Sequence, residues 1–363
     1  MSTATIAPDE VIRLDHTESR EARRARLSSG GLMTAMGLVL LGLAFQTRGD
    51  AQFALSGYFD AVELPSFTVP GMITVLLSAI ATIAAGVGFL TGRLNPRLRT
   101  GAATVAGIAV MVGLVTWAVS GSSLPFQVSN QLAGTIALAT PLVLGSLGGV
   151  LCENSGVVNV AIEGQFLVAA FTAATVGSVT KSIPMALVAA VIAGVLMAAM
   201  LAVFAIRYIV DQVVLGVVLN LFASGLTGFI FDQLVQPNSS TLNNAPIMRA
   251  IPIPGLSAIP LLGPVLFNQT ILVYLAILSV FVVTFLLYRT RWGLRVRSVG
   301  EHPEAADTVG ISVRAVRWQA VLLGGLFAGL GGAFFTIGST GAFNKDITVG
   351  NGFIALAALI MGR

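Results

Sequence analysis

Along this chain, long runs of Leu, Val, Ile, Ala and Gly are separated by short polar stretches. A helix that crosses a membrane needs about 20 mostly apolar residues. On that measure, candidate spans fall near 30–46, 72–91, 101–119, 130–151, 166–180, 183–206, 213–233, 269–288 and 319–338. A last apolar run, FIALAALIMG (353–362), is too short to cross alone. The 166–180 run is short and rich in Ala, Thr and Gly, which predicts part of a broken or re-entrant helix. The pattern predicts an all-α, polytopic helical bundle of about nine to ten spans. It divides the chain into a polar N-terminal tail, 1–28, and one membrane domain, 29–363. No internal repeat is visible.

Composition agrees with the pattern. The 363 residues are 55% hydrophobic and 10% charged, where a soluble globular chain carries about 25% charged residues. Too little polar surface remains to solvate a protein of this size. Charge then sets orientation, because Lys and Arg in short loops stay on the cytoplasmic side. With the N-terminus inside and each span reversing direction, the inner side receives Arg13, Arg20, Arg23, Arg24 and Arg26, then Arg93, Arg97 and Arg99, then Arg207. Arg289, Arg291, Arg295, Arg297, Arg314, Arg317 and Arg363 follow them inside, leaving Arg48, Lys181, Arg249 and Lys345 outside. Every arginine cluster obeys the rule with a cytoplasmic N-terminus, and an error in the span count would send one of them out. The orientation makes 234–268 an extracytoplasmic loop, and its Pro, Asn and Ser predict an ordered segment with short helices. It makes 289–318 a cytoplasmic loop.

Several chemistries are disfavoured. The sequence lacks GxxxxGK[ST], HExxH and GxSxG, so neither nucleotide hydrolysis nor a membrane hydrolase is expected of this chain. A single cysteine, Cys152, permits no intrachain disulfide, and His16 and His302 both lie in polar stretches, so no metal site is expected. The basic balance, with a net charge of +4, forms no stripe with interleaved aromatics, so nucleic acid is not an expected partner. The charged tail is unlike a cleavable signal peptide, and Asp9, Glu10, Asp15, Glu18 and Glu21 weaken a presequence reading. Most spans lack an ionisable residue in mid-helix, which argues against an ion-coupled charge relay.

Four features remain. Gly145 and Gly149, and Gly325 and Gly329, form GxxxG pairs that suit helix packing, with a solute path along them as the rarer use. In LCENSGVVNVAIEGQF (151–166), Glu153, Asn154, Asn159, Glu163 and Gln165 interrupt apolar sequence, either as a broken helix offering polar groups to a solute or as a short loop. Asn220, in mid-span, is either an interhelical tie or part of a solute route. Lastly, SVGEHPEAADTVGISVRAVRW (298–318) reads like a fragment of a soluble protein. A short helix starts at Glu301-His302-Pro303, with Pro suited to a first turn and Glu304 to a helix N-terminus, and Gly310 ends it. Two turns hold little stability alone. The apolar side, Ala305, Ala306 and Val309, is too small to anchor in a membrane surface, so docking into a protein groove is the better expectation.

ENSGVVNVAIEGQ, DQVVLGVVLN and RTRWGLRVRSVGEHPEAADTVGI, in that order, resemble the membrane permeases of ABC importers for branched-chain amino acids, simple sugars and nucleosides. The resemblance covers roughly residues 130 to 363, with Ser298 where Ala is common. The EGQ and GEHPEAAD wording is most similar to the nucleoside permeases. It implies a transport subunit that is no enzyme and binds no cofactor, with ATP used by a cytoplasmic ABC ATPase. It further implies a second homologous permease, as a hetero- or homodimer, an extracytoplasmic solute-binding lipoprotein, and a multi-pass position in the lipids of a bacterial inner (plasma) membrane. The segment Glu301, His302, Pro303, Glu304, Ala305, Ala306 and Asp307 then corresponds to the ATPase-coupling helix. Asn154, Asn159, Glu163 and Asn220 fall in the shared motifs and become the substrate-pathway candidates. Family members continue past ALAALIMGR with a further apolar span, whereas this sequence stops at Arg363. The alternatives are a branched-chain amino acid or sugar permease of the same kind, an ion-coupled secondary transporter, and a membrane scaffold that transports nothing.

Overall fold

The computed structural model describes residues 19–57, 60, 62–92 and 94–362. Arg13, His16, Arg93 and Arg363 lie outside the described residues, as does most of the polar tail. The part of that tail which is described is already helical. Helix α1 runs Arg20–Gln46, and the Ser19 hydroxyl caps it by accepting from the Ala22 amide at 3.1 Å.

Two compact units divide the chain, one formed by 1–57 and 64–128, the other by 58–63 and 129–363. The first holds α1, strands β1 (Asp50–Ala54) and β2 (Ser66–Pro70), helices α2 (Gly71–Thr91) and α3 (Pro96–Val119), and strand β3 (Phe126–Gln127). β1 pairs antiparallel with β2 and parallel with β3. This small sheet carries no signal on a ruler built for membrane spans. At the other end of the unit, the Arg26 guanidinium donates to the carbonyls of Phe89 and Leu90 at 2.7 and 2.8 Å, completing the open C-terminus of α2.

The second unit begins with α4 (Val128–Asn154), α5 (Ile162–Thr180), α6 (Ile183–Ala202) and α7 (Gln212–Ile230). π-helical turns extend α6 over Val203–Arg207 and α7 over Phe231–Val235. Two short helices, α8 (Ser239–Leu242) and α9 (Leu262–Phe267), and a two-residue ribbon of β4 (Ile251–Pro252) and β5 (Asn268–Gln269) organise the expected ordered loop. Then come α10 (Ile271–Arg289), α11 (Arg291–Glu301), α12 (Pro303–Thr308), α13 (Val313–Phe334, with a π-helical turn Thr336–Thr340) and α14 (Asn351–Met361).

Among the described residues, nine helices are long and apolar enough to cross a membrane, and each overlaps an expected span, although the first starts at Arg20 and the last at Val313, well before the expected 30 and 319. The protein is an all-α, multi-pass membrane protein. α5 is itself continuous over Ile162–Thr180; irregular chain lies before it, at 155–161, and between α13 and α14, where residues 341–350 run as a strap.

α13 is the most enclosed span, with 78% of its apolar stretch buried, because glycines bring its backbone against two neighbours. A Cβ on Gly324 would sit 2.7 Å from the Gly148 carbonyl oxygen of α4, and one on Gly194 of α6 would sit 2.5 Å from the Gly325 carbonyl oxygen. In lipid, where burying apolar surface drives nothing, such backbone contact supplies the packing energy. Gly325 and Gly329 face α6, while Gly145 and Gly149 accept Phe166 and Ala355, and Leu359, respectively. Both GxxxG pairs are thus packing surfaces.

Candidate functional site

Three of the four candidate residues meet at the N-terminus of α5. Between α4 and α5 the chain is non-helical over 155–161, and its polar groups are satisfied by side chains. Asn159 is 3% exposed; its Oδ1 accepts from the Ala161 amide at 3.1 Å and its Nδ2 donates to Gln165 Oε1 at 3.2 Å. Asn220, reaching over from α7, accepts from the Gly164 amide at 2.8 Å and donates to the Val160 carbonyl at 3.0 Å. It therefore serves as an interhelical tie. No Cβ fits at Gly216 beside Val160, which sets α7 directly against the break.

Glu163 stands in the first turn of α5, not in a loop, and Glu153 closes the last turn of α4. The Glu163 carboxylate accepts three bonds from the far end of the chain: the Thr348 hydroxyl, the Gly350 amide at 2.9 Å and the Gly352 amide at 2.6 Å. Those groups form the start of α14. One side chain thus satisfies orphan amides of a helix that begins inside the protein, and its charge complements that helix's positive end. Discontinuous helices with such ends mark binding regions of transporters.

Asn154 is not part of this group. Its Nδ2 donates to the Val150 carbonyl at 2.9 Å, and it lines a separate polar cleft with Glu153, Tyr288, Arg297 and Glu301. Arg297 there lies 5.1 Å from the centre of the Tyr288 ring.

The strap between α13 and α14 escaped the sequence reading. Asn243 grips it by donating to the Phe343 carbonyl at 2.9 Å and accepting from the Phe343 amide at 2.6 Å. Lys345 pairs with Asp232 at 2.6 Å, and the Asp346 carboxylate accepts from the Ser224 hydroxyl at 2.8 Å. Asp346 and Val349 hold φ of +54° and +47°, a strained conformation for a β-branched valine.

At the arginine-rich end, α12 begins at Pro303 and stops before Gly310, whose φ is +84°. Glu301, His302, Glu304, Ala305 and Asp307 are exposed there, while Pro303 is half-buried. The expected apolar side does not hold together. Ala306 is 4% exposed and packs with Val296, Val299 and Val316, while Val309 is 74% exposed. The reason is α11, read from sequence as plain loop, whose Val296 and Val299 make a small core that Ala306 completes. Ala306→Asp is therefore expected to lower the yield of folded protein, since an unpaired buried carboxylate costs several kcal/mol. Val309→Asp leaves thermal unfolding unchanged. Equal unfolding temperatures for the two variants would contradict this placement.

α11 and α13 are joined to the 155–161 segment. The Arg317 Nε donates to the Ser155 carbonyl at 3.1 Å, and the Cα of Gly300 abuts the turn at Asn154 and Gly156 closely enough that no Cβ fits.

Among the described residues, nine helices long and apolar enough to cross a membrane, with a polar cluster between α4 and α5, suit a membrane transport permease. The chain belongs to the family of branched-chain amino acid transport system permease components, which matches it over residues 131–363. It is a transport subunit and not an enzyme. It is 38% identical to the nucleoside ABC transporter permease protein NupC of Lactococcus lactis, over 64% of this chain and 75% of that one. It is 41% identical to the guanosine ABC transporter permease protein NupQ of Bacillus subtilis, over 63% of this chain and 74% of the relative. A Haloferax volcanii protein, TsgC13, provisionally named a glucose ABC transporter permease, is 38% identical over 65% of this chain and 71% of its own length. No solved structure gives a significant match.

Proposed function

We propose that this chain is the membrane-spanning permease of an ABC importer that moves nucleosides inward by alternating access, driven by ATP hydrolysis on a partner ATPase. The observation that carries the substrate class is the 38–41% identity to relatives named for nucleosides and guanosine. The glucose relative supports sugar as the second reading. Both substrates are neutral, polar and rich in hydroxyls, which fits a polar cluster without an ion-coupling charge relay.

In this reading, α12 is the coupling helix. The exposed Glu301, His302, Glu304, Ala305 and Asp307 meet the ATPase, Pro303 starts the helix, and Ala306 fixes its seat on α11 and α13. Closure of the ATPase dimer moves α12, and the contacts of Gly300 and Arg317 carry the movement to the 155–161 break. Asn159 holds that break to the start of α5, Asn220 holds it against α7, and Glu163 passes the movement to α14. Asn154 responds on the other side, in the cleft it shares with Glu301. The remaining assembly comprises a second homologous permease and an extracytoplasmic solute-binding lipoprotein in a bacterial inner membrane. Arginine placement supports a cytoplasmic N-terminus and cytoplasmic α11 and α12.

Affinity purification of the tagged chain from membranes tests this assembly. An ABC ATPase is expected to co-purify with the wild type and to be lost with Val309→Asp. Transport that continues without any ATPase and collapses with the ion gradient would replace this reading with a secondary transporter.

A further inference from the structure

One polar group of the strap, the Asp346 carboxylate, lies level with the middle of a span, at a depth where lipid does not tolerate it. Ser224 stands near the middle of the 24-residue span Gln212–Val235, about 18 Å along it at 1.5 Å per residue. Asp346 bonds to that hydroxyl and is nonetheless exposed, as are Asn344, Lys345 and Val349 around it. An ionisable side chain at mid-span faces protein or a water-filled cavity, and irregular backbone at that depth obeys the same restriction. The flanking face of α7 is open as well, with Leu221 and Phe222 exposed. Glu163, by contrast, turns both oxygens to α14 and the strap, and Asn220 is consumed by backbone bonds.

We propose that the strap and the adjoining face of α7 are a wall of the aqueous solute route, and that the Asp346 carboxylate, steadied by Ser224, is a solute-contacting group. A carboxylate offers only acceptors. Its matching ligand carries neighbouring O–H or N–H donors, such as the paired hydroxyls of a ribose. Val349, whose left-handed backbone turns the chain next to Asp346 and ahead of Glu163, lines the same wall. Ser224 and Glu163 are positioning residues here, since they reach the solute only through the strap. This inference rests on the transport reading above and adds the side chain at which the solute is recognised.

The chain suits a direct test, because its one cysteine, Cys152, is buried. Val349→Cys in the assembled transporter, in membranes, is treated with a membrane-impermeant cationic methanethiosulfonate. The expected result is modification at about the rate of the exposed loop control Ser240→Cys, with the apolar-face control Val280→Cys unreactive. Protection of Val349→Cys to the level of Val280→Cys means that lipid or a second permease covers this face, and overturns the proposal. In the second arm, Asp346→Asn is expected to raise KM for the transported solute about tenfold, the loss of one charge-assisted hydrogen bond, with ATPase association retained. An unchanged KM overturns the role of Asp346. Reagent access at Val349 is measured without solute, so a transporter that refuses nucleosides contradicts the proposed substrate and leaves the labelling result standing.

Discussion

Glu163→Ala is expected to unfold the α14 end of the permease at markedly lower temperature and to remove most solute uptake. Its carboxylate is acceptor to the Thr348 hydroxyl and to the Gly350 and Gly352 amides. Gly352 has no room for even a Cβ against the backbone of residue 163, so the start of α14 sits directly on the start of α5. Truncation leaves three donors facing a methyl group, and each unsatisfied buried donor costs about 1–3 kcal/mol. The sum, about 3–5 kcal/mol after local relaxation, is of the size of a small domain's whole stability. Glu163→Gln keeps the shape but turns one N–H donor toward another, and is expected to fall between alanine and wild type. Thermal unfolding of the purified permease, followed by tryptophan fluorescence, reads the order. A Gln variant as damaged as Ala would mean that charge, and not acceptor count, holds the strap.

Gly194→Val carries the second large effect. The backbone of α6 meets that of α13 at Gly194, Gly325 and Gly329, with the ideal Cβ of Gly194 at 2.5 Å from the Gly325 carbonyl oxygen and 2.7 Å from the Gly329 Cα. Neither neighbour is a side chain that can rotate away. The two helices must separate by more than an ångström, which forfeits dispersion contacts along the whole seam. Overpacking of this kind costs about 1–3 kcal/mol or more, and here it falls on the most enclosed helix. The expected result is little folded protein in the membrane. Gly225→Val is the control, because nothing lies within 4 Å of its Cβ position. Equal folded yields for the two variants would contradict the packing described.

The nine spans among the described residues were legible because one physical quantity, about 20 apolar residues, decides each of them. The short helix α12 was legible as well, since Pro303 and Gly310 punctuate it. What could not be read were relations across the chain. Glu163 and Thr348 are 185 residues apart, and nothing local marks either as the partner of the other. Asn154 and Asn159 share one motif, yet the end of α4 lies between them and sends Asn154 to a polar cleft and Asn159 into the packed interior. Asn220 reads as an interhelical tie or as part of a solute route, and its bonds to Val160 and Gly164 make the tie. α11 was missed because three arginines outweighed the spacing of Val296 and Val299. With α11 missing, Ala306 was assigned to the partner when it belongs to the fold.

ATP-dependent uptake tests the central claim most directly. Proteoliposomes holding this permease with its co-purified partners are loaded with ATP on the ATPase side and given radiolabelled guanosine, with the solute-binding protein supplied. The account predicts accumulation that requires ATP, is blocked by excess unlabelled nucleoside, and is indifferent to glucose and leucine. Accumulation blocked by glucose or leucine but not by nucleosides, or uptake without ATP, would contradict it.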